Sequence, residues 1–283
     1  MKKILFLVIF SLPLVYTCKN NEQVRINVLS FNIRYDNPDD SLNNWKYRRD
    51  FASEMIRFYG ADIIGAQEVL KNQLDDLADA LPGFSYIGVG RLDGKEDGEF
   101  APIFYNSGRF SVLESGHFWL SETPEVPGSK GWDAACERIV TWAVFKDKSS
   151  GKSFALYNTH FDHVGETAQR ESAIMLLAHI RENVKEIPVV LTGDLNVIPG
   201  SEAVSTLLSG DLLVEAGNIS GINYGPLWTF HDFGRIPVKD RVKIDYMFVS
   251  QSVKVESYAT LSEQKDSVYL SDHNPVFAKL VLQ

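Results

Sequence analysis

Six short apolar runs, each bordered by Asp, Glu, Asn or His, constrain this chain more than any other feature. "INVLSFN" ends at Asn32 and "ADIIGAQE" at Glu68. "FALYNTHFDH" carries Asn158, His160 and Asp162, and "PVVLTGDLN" carries Asp194 and Asn196. "KIDYMF" carries Asp245, and "YLSDHNP" carries Asp272 and His273. Residues two apart on a strand share a face, so Asn158, His160 and Asp162 project together, as do Asp194 and Asn196. Burying a carboxylate at a strand end is costly unless it is paired or bound to a metal. One such residue, such as Asp194 within Gly-Asp-Leu-Asn, is an ordinary turn former. Six sites of the same few residue types, with almost no Lys, predict a shared cleft floor.

Helical patterns lie between the strands. "WKYRRDFASEMIRFYG" predicts an amphipathic helix with Phe51, Met55 and Phe58 on its apolar positions and Gly60 at its end. "NQLDDLADALPG", the long "ETAQRESAIMLLAHIRENVKE" and "SEAVSTLLS", capped by Ser201, predict three more. "RIVTWAVFKD" and "GKSFALYNTHFDH", joined by "KSSG", predict a hairpin. Runs of strands with helices inserted in each half predict a mixed α/β domain whose helices cover stacked sheets. The 283 residues, 45% of them hydrophobic, are enough for a large core. No interdomain linker is evident. The stretches 120–137 and 217–241 lack periodicity, and loops that long are usually functional or mobile.

"MKKILFLVIFSLPLVYTC" pairs Lys2 and Lys3 with an apolar run too short to cross a bilayer, and predicts a secretory leader over residues 1–17. Cys18 stands where a bacterial lipoprotein carries its lipid, although Tyr16 and Thr17 replace the usual smaller residues. Residues 18–23 then form a polar tether, and 24–283 the catalytic domain. The expected location is then the bacterial cell envelope, with the protein held to the membrane by an N-terminal lipid; plain cleavage would instead leave a soluble exported protein. Cys136, the other cysteine, is then a buried hydrophobe without a partner.

Loss of Lys2 and Lys3 with a leader takes the formal charge from −9 to −11. That weighs against general duplex binding, which depends on Lys and Arg neutralising phosphates. The oxygen-rich polar set suits a hard cation such as Mg²⁺ or Mn²⁺, which takes one or two carboxylates and keeps water or phosphate as its other ligands. An Asp beside a His favours the imidazolium.

"SFNIR", "GAQE", "NTHFDH", "TGDLN", "KIDYMFVS" and "SDHNPV" occur in the order found in the endonuclease/exonuclease/phosphatase superfamily, with its deoxyribonuclease I-like fold, and the chain resembles it from Val24 to Leu282. "NIRYDNPDDSLNNWKYR", "GVGRLDGKEDGE", "FWLSETP" and "GSKGWDAA" further resemble a branch of exported bacterial members. The resemblance implies a four-layer α/β sandwich of two packed mixed sheets flanked by helices, with the site at one edge. It implies Glu68 as principal metal ligand, Asn32 beside the metal, and Asp272 approaching it. It implies that His160 and Asn158 contact the phosphate, Asp194 positions or deprotonates the attacking water, and Asn196 holds nucleophile and phosphate. His273 faces the phosphate, oriented by Asp245 rather than by the adjacent Asp272. Arg34 stands where some DNA-repair members have a second acidic ligand, so one metal is expected.

Other residues carry two readings each. Tyr105 reaches the site or packs within the strands. Arg170 contacts phosphate or is salt-bridged on the long helix. Trp132, in a Gly-rich loop, is placed to stack on a substrate ring. His117, His179 and His231 have no polar cluster and are expected to be structural. The expected activity is Mg²⁺-dependent hydrolysis of a small-molecule, sugar or lipid phosphoester by a monomer, without a stable nucleic-acid partner. The alternatives are a secreted nuclease and a catalytically silent binding protein.

Overall fold

The apolar runs become strands, and the structure, a computed structural model, describes residues 23–184 and 186–282. The expected leader, Cys18 and all of the tether but Gln23 lie outside the described residues. The elements in chain order are β1 (Val24–Asn32), α1 (Trp45–Tyr59), β2 (Ile63–Gln67), α2 (Lys71–Ala80), β3 (Phe84–Ile87), β4 (Ile103–Asn106), β5 (Phe110–Trp119), β6 (Ile139–Asp147) and β7 (Ser153–His160). There follow α3 (Glu166–Asn183), β8 (Val189–Asp194), α4 (Glu202–Leu207), β9 (Leu213–Glu215), α5 (Ala216–Ile219), β10 (Asn223–Tyr224), β11 (Asp245–Ser250), β12 (Val253–Thr260), β13 (Gln264–Lys265), β14 (Val268–Tyr269) and β15 (Val276–Leu282). One large sheet runs β10-β12-β15-β1-β2-β4-β3 and a second runs β5-β6-β7-β8-β11-β9, while β13 and β14 pair as a two-stranded sheet. Both large sheets mix parallel and antiparallel pairs.

Three apolar layers separate four structural ones. Ile26, Val28, Ile63, Phe154, Leu156 and Met247 fill the space between the sheets. Phe31, Trp45, Met55, Leu74 and Phe104 join α1 and α2 to the outer face of the first sheet. Tyr157, Leu176, Ile180, Leu191, Val204 and Phe248 join α3 and α4 to the second. This is the sandwich that the motif order implies. The hairpin of β6 and β7 pairs in continuous register. Ser201 caps α4 by accepting from Val204 N. Gly60 closes α1 at φ 60°, a left-handed position that favours glycine. One helix expectation fails: Phe58 is 83% exposed. Met55 and Ile56 already fill the inward stripe of α1, and Phe58 meets the Tyr59 ring edge to face.

A polar seam joins the sheets beneath the site. The Gln67 amide donates to Asn158 Oδ1 at 2.7 Å, which also accepts from Thr192 Oγ1 at 3.0 Å. The Asn158 amide donates to the carbonyls of Ala66 and Pro102. Gly65 makes this seam possible, because a Cβ there would stand 2.1 Å from Thr192 Oγ1 and 2.6 Å from Asn158 Oδ1. Both ends of the Asn158 side chain are therefore committed, and the residue is fully buried. This corrects the expectation that Asn158 contacts substrate; it braces the two sheets instead.

Candidate active site

Register alone assembles half of the site. Strand β8 pairs with β7 and β11 so that Asp194 lies directly opposite His160 on one side and Asp245 on the other. Adjacent strands are about 4.8 Å apart, so three polar side chains meet at one sheet edge. The fourth arrives on a turn. Thr229 Oγ1 accepts from the backbone N–H groups of Ile244 and Asp245, and its carbonyl accepts from Asn274 N. The long loop 217–241 thereby ties Asp245 to the segment carrying His273. His273 Nδ1 meets Asp245 Oδ2 at 2.8 Å, and its Nε2 faces Asp194 Oδ2 at 3.8 Å. The partner of His273 is thus the distant Asp245.

The first sheet supplies the facing residues. Asn32 donates to Glu68 Oε1 at 3.0 Å and to Asp194 Oδ2 at 2.9 Å, while its own oxygen accepts from Arg34 N. Asn32 thus braces the two carboxylates and stands beside the candidate donor cluster. Glu68 Oε2 accepts from Tyr35 N at 3.1 Å. Asp272 turns toward Arg34, whose Nε lies 3.7 Å from it and 3.0 Å from Asp40. The guanidinium takes up Asp272, which therefore stands outside the tightest donor cluster. Backbone strain concentrates here: Arg34, Glu68, Asn196 and Asp232, all non-glycine residues lining one cavity, have φ between 48° and 59°. Such strain persists where surrounding contacts enforce it and is typical of functional sites.

That cavity has a volume of about 660 Å³. Glu68, Asp194, Asn196, His160, Asp272, His273 and Arg34 line it, together with Arg91, Glu99, Arg138 and His163. A separate cavity of about 360 Å³ is built on the Glu215–Lys243 ion pair and shares none of these residues. Tyr105, Trp132 and Arg170 are not in the lining. Tyr105 packs against Phe145 between the sheets. Trp132 is held by its backbone N–H on the Glu122 carboxylate, in a loop whose Asp133 caps the start of α3. Arg170 forks onto Glu171 and lies near Glu202. Asp162 accepts four backbone N–H groups, from Ala135, Cys136, Val164 and Gly165, and is a structural staple.

Charge in the cavity is strongly organised. Burial and the Asp245 carboxylate push Asp194 up to about 7, although His273 opposes them. Burial works against the His273 imidazolium, but Asp245 and Asp194 outweigh it and hold its pKa well above the ordinary value. Burial likewise opposes ionisation of Glu68; His273, Asn32 and Arg34 overcome it and lower the pKa. Burial, with Arg138 and Arg91, keeps His160 neutral. Asn196 donates both to His160 Nε2 at 2.9 Å and to the Phe161 carbonyl, which fixes its amide. His160 Nε2 is then an acceptor, with its proton on Nδ1. His160 thereby orients Asn196.

Donor atoms of Glu68, Asp194 and His273 lie within 4.8 Å of one another. Two carboxylates beside an imidazolium match the oxygen-rich, incompletely filled set of a magnesium-type cation. Cys136, Asp162 and His163 also lie close together. Their set suits a cation poorly, because the Asp162 oxygens accept four backbone hydrogen bonds and Arg138 donates to His163.

The profile of the Endonuclease/Exonuclease/phosphatase family matches residues 29–273. The chain belongs to that family. The chain spans 60% or less of the length of the curated relatives it matches. An endonuclease/exonuclease/phosphatase of Bacteroides vulgatus is similar at 49% identity, over 92% of this chain and all of that one, with a TM-score of 0.90. A mannosyl-6-phosphatase of Bacteroides thetaiotaomicron is similar at 38% identity, over 91% of this chain and all of that one, with a TM-score of 0.85. An uncharacterised protein of Acanthamoeba polyphaga mimivirus is 30% identical over 165 residues, 55% of this chain and 60% of its own length.

The superfamily motifs did not single out Arg91, Glu99, Arg138 or Thr229. Arg91 and Glu99 lie within "GVGRLDGKEDGE", a stretch noted above only as characteristic of one branch. That stretch was the available signal.

Proposed function

We propose that this protein is a divalent-metal-dependent hydrolase of small phosphoesters, with Mg²⁺ as the cation and Mn²⁺ as a substitute. The observation that carries the reading is His273, pinned through Nδ1 by Asp245 and directing Nε2 into the same cluster as Asp194 and Glu68. Glu68 would hold the cation with Asp194 beside it; when bound, the cation neutralises phosphate charge as a Lewis acid. Asp194 orients a water and accepts its proton. Protonated His273 donates from Nε2 to a phosphate oxygen as charge builds. Asn196, oriented by His160, donates to the same group. Arg34 places a fixed positive charge at the rim.

The acidic chain and the similarity to a mannosyl-6-phosphatase favour a small hydroxylated substrate over nucleic acid. The test is phosphate release from a hexose 6-phosphate, phenyl phosphate, plasmid DNA and single-stranded RNA, with Mg²⁺ and with EDTA. Release from a small ester that stops with EDTA is expected. Nucleic-acid cleavage alone would favour the nuclease reading, and no cleavage of any ester would overturn the proposal.

A further inference from the structure

The wall of the cavity beyond His160 holds charged donors for which the described residues supply no acceptor. Arg138 is 5% exposed. Its Nη2 meets His163 Nδ1 at 3.1 Å, but neither Nε nor Nη1 has a hydrogen-bond partner among the described residues. Asp162 lies 3.7 Å away, yet both of its oxygens accept backbone N–H groups. Arg91 donates to Glu99 Oε2 at 2.8 Å and leaves its own Nε without a partner. His160 Nδ1, which carries the ring proton, is also without one and lies 3.8 Å from Glu99. Buried donors in this state are unfavourable, and a guanidinium more so than an amide. Such a cluster at a cavity wall is completed by a ligand that brings acceptors.

The composition of the wall says which kind. A second anion would satisfy the guanidinium groups but would meet the Glu99 carboxylate set among them. A hydroxyl group suits both, accepting from Arg and donating to Glu. Neighbouring hydroxyls on a ring match a row of donor, acceptor and donor. Position agrees with this. His160 Nε2 lies 3.6 Å from Asp194, and Nδ1 lies 3.8 Å from Glu99. One imidazole ring therefore separates this wall from Asp194, within the span of a small phosphoester lying in the same cavity.

We propose that Arg138, Arg91 and Glu99 form the leaving-group subsite and select a sugar or cyclic polyol through its hydroxyl groups. This rests on the phosphoesterase reading above. The three residues determine specificity; the phosphoryl chemistry belongs to the opposite wall.

The experiment compares kcat/KM for a hexose 6-phosphate with that for phenyl phosphate, which has no hydroxyls on its ring. It uses the full chain and the variants Arg138→Met, Arg138→Lys and Glu99→Gln, with thermal melting to verify folding. The hexose-to-phenyl ratio should fall by about tenfold or more in Arg138→Met and Glu99→Gln, mainly through the KM of the sugar ester. Arg138→Lys should fall between them and the wild type, since it keeps charge without the planar fork. If Arg138→Met does not fold, the near-isosteric Glu99→Gln carries the same test. A ratio unchanged within about twofold in folded variants overturns the subsite. So does a wild type active on phenyl phosphate and inert to every sugar or polyol phosphate, with the phosphoesterase reading left standing. A wild type inert to all esters overturns that reading first.

Discussion

The two walls of the cavity are built by opposite means. On the Asp194 wall the polar groups come from strand ends and answer one another: Asn32 bridges Glu68 and Asp194, and Asp245 holds His273. On the Arg138 wall the groups come mainly from loops and the start of β6, and several donors have no partner among the described residues. The side chains of the chemical wall are paired with one another before a substrate arrives; those of the recognition wall are paired by one. Strand register fixes position to fractions of an ångström, which chemistry requires, whereas loops vary without disturbing the core. A family that keeps its reaction and changes its substrates would be expected to divide a site in this way.

Substitutions on the first wall should strike turnover. Asp245→Asn keeps the hydrogen-bonding shape but removes the charge that holds His273 protonated. A loss of about 100-fold in kcat is expected, with little change in sugar KM. The His273 pKa, raised in the native protein, should fall, so that the imidazolium is lost at a lower pH as pH rises; NMR titration of the ring checks this. An unchanged His273 titration would break the link between the two residues.

Substitutions behind the second wall should strike stability. Asp162→Asn removes the charge from the staple and should cost about 1–3 kcal/mol near neutrality, measured by chemical denaturation. Burial would raise the Asp162 pKa, but its backbone hydrogen bonds lower it to about 2. A depressed carboxylate stabilises the fold above its unfolded value, and that contribution is lost as pH falls through the folded one. The gap between wild type and variant should therefore close from about pH 4 down to about pH 2. A gap independent of pH would assign the loss to shape rather than charge. Phe58→Lys, on the exposed face of α1 away from both walls, should change stability by less than about 0.5 kcal/mol.

Much of the first wall was legible because strand periodicity and motif order fix which residues share an edge. The layers and the hairpin follow that logic in the structure, and the pairing of His273 with Asp245 is the one that the family resemblance implied. Asn158 was misread for a physical reason: an amide that braces two sheets looks, in sequence, like one that binds a ligand. Phe58 lay at a plausible helical spacing, but Met55 and Ile56 had already filled the stripe. Tyr105, Trp132 and Arg170 were plausible by residue type, yet packing, a backbone anchor and ion pairing account for them. Arg138 opens a predicted strand and Glu99 ends "GVGRLDGKEDGE", and neither pattern shows that the two line one cavity. Thr229 was hidden likewise, since its role lies in two backbone N–H groups of a strand far along the chain.

The most direct test of the account is phosphate release from a small phosphoester in Mg²⁺ by wild type and by folded Asp194→Asn. The wild type should turn over and lose activity with EDTA, while Asp194→Asn should be slower by about 100-fold to 10,000-fold with its melting temperature retained. An Asp194→Asn variant as active as the wild type would contradict the placement of the chemistry on this wall.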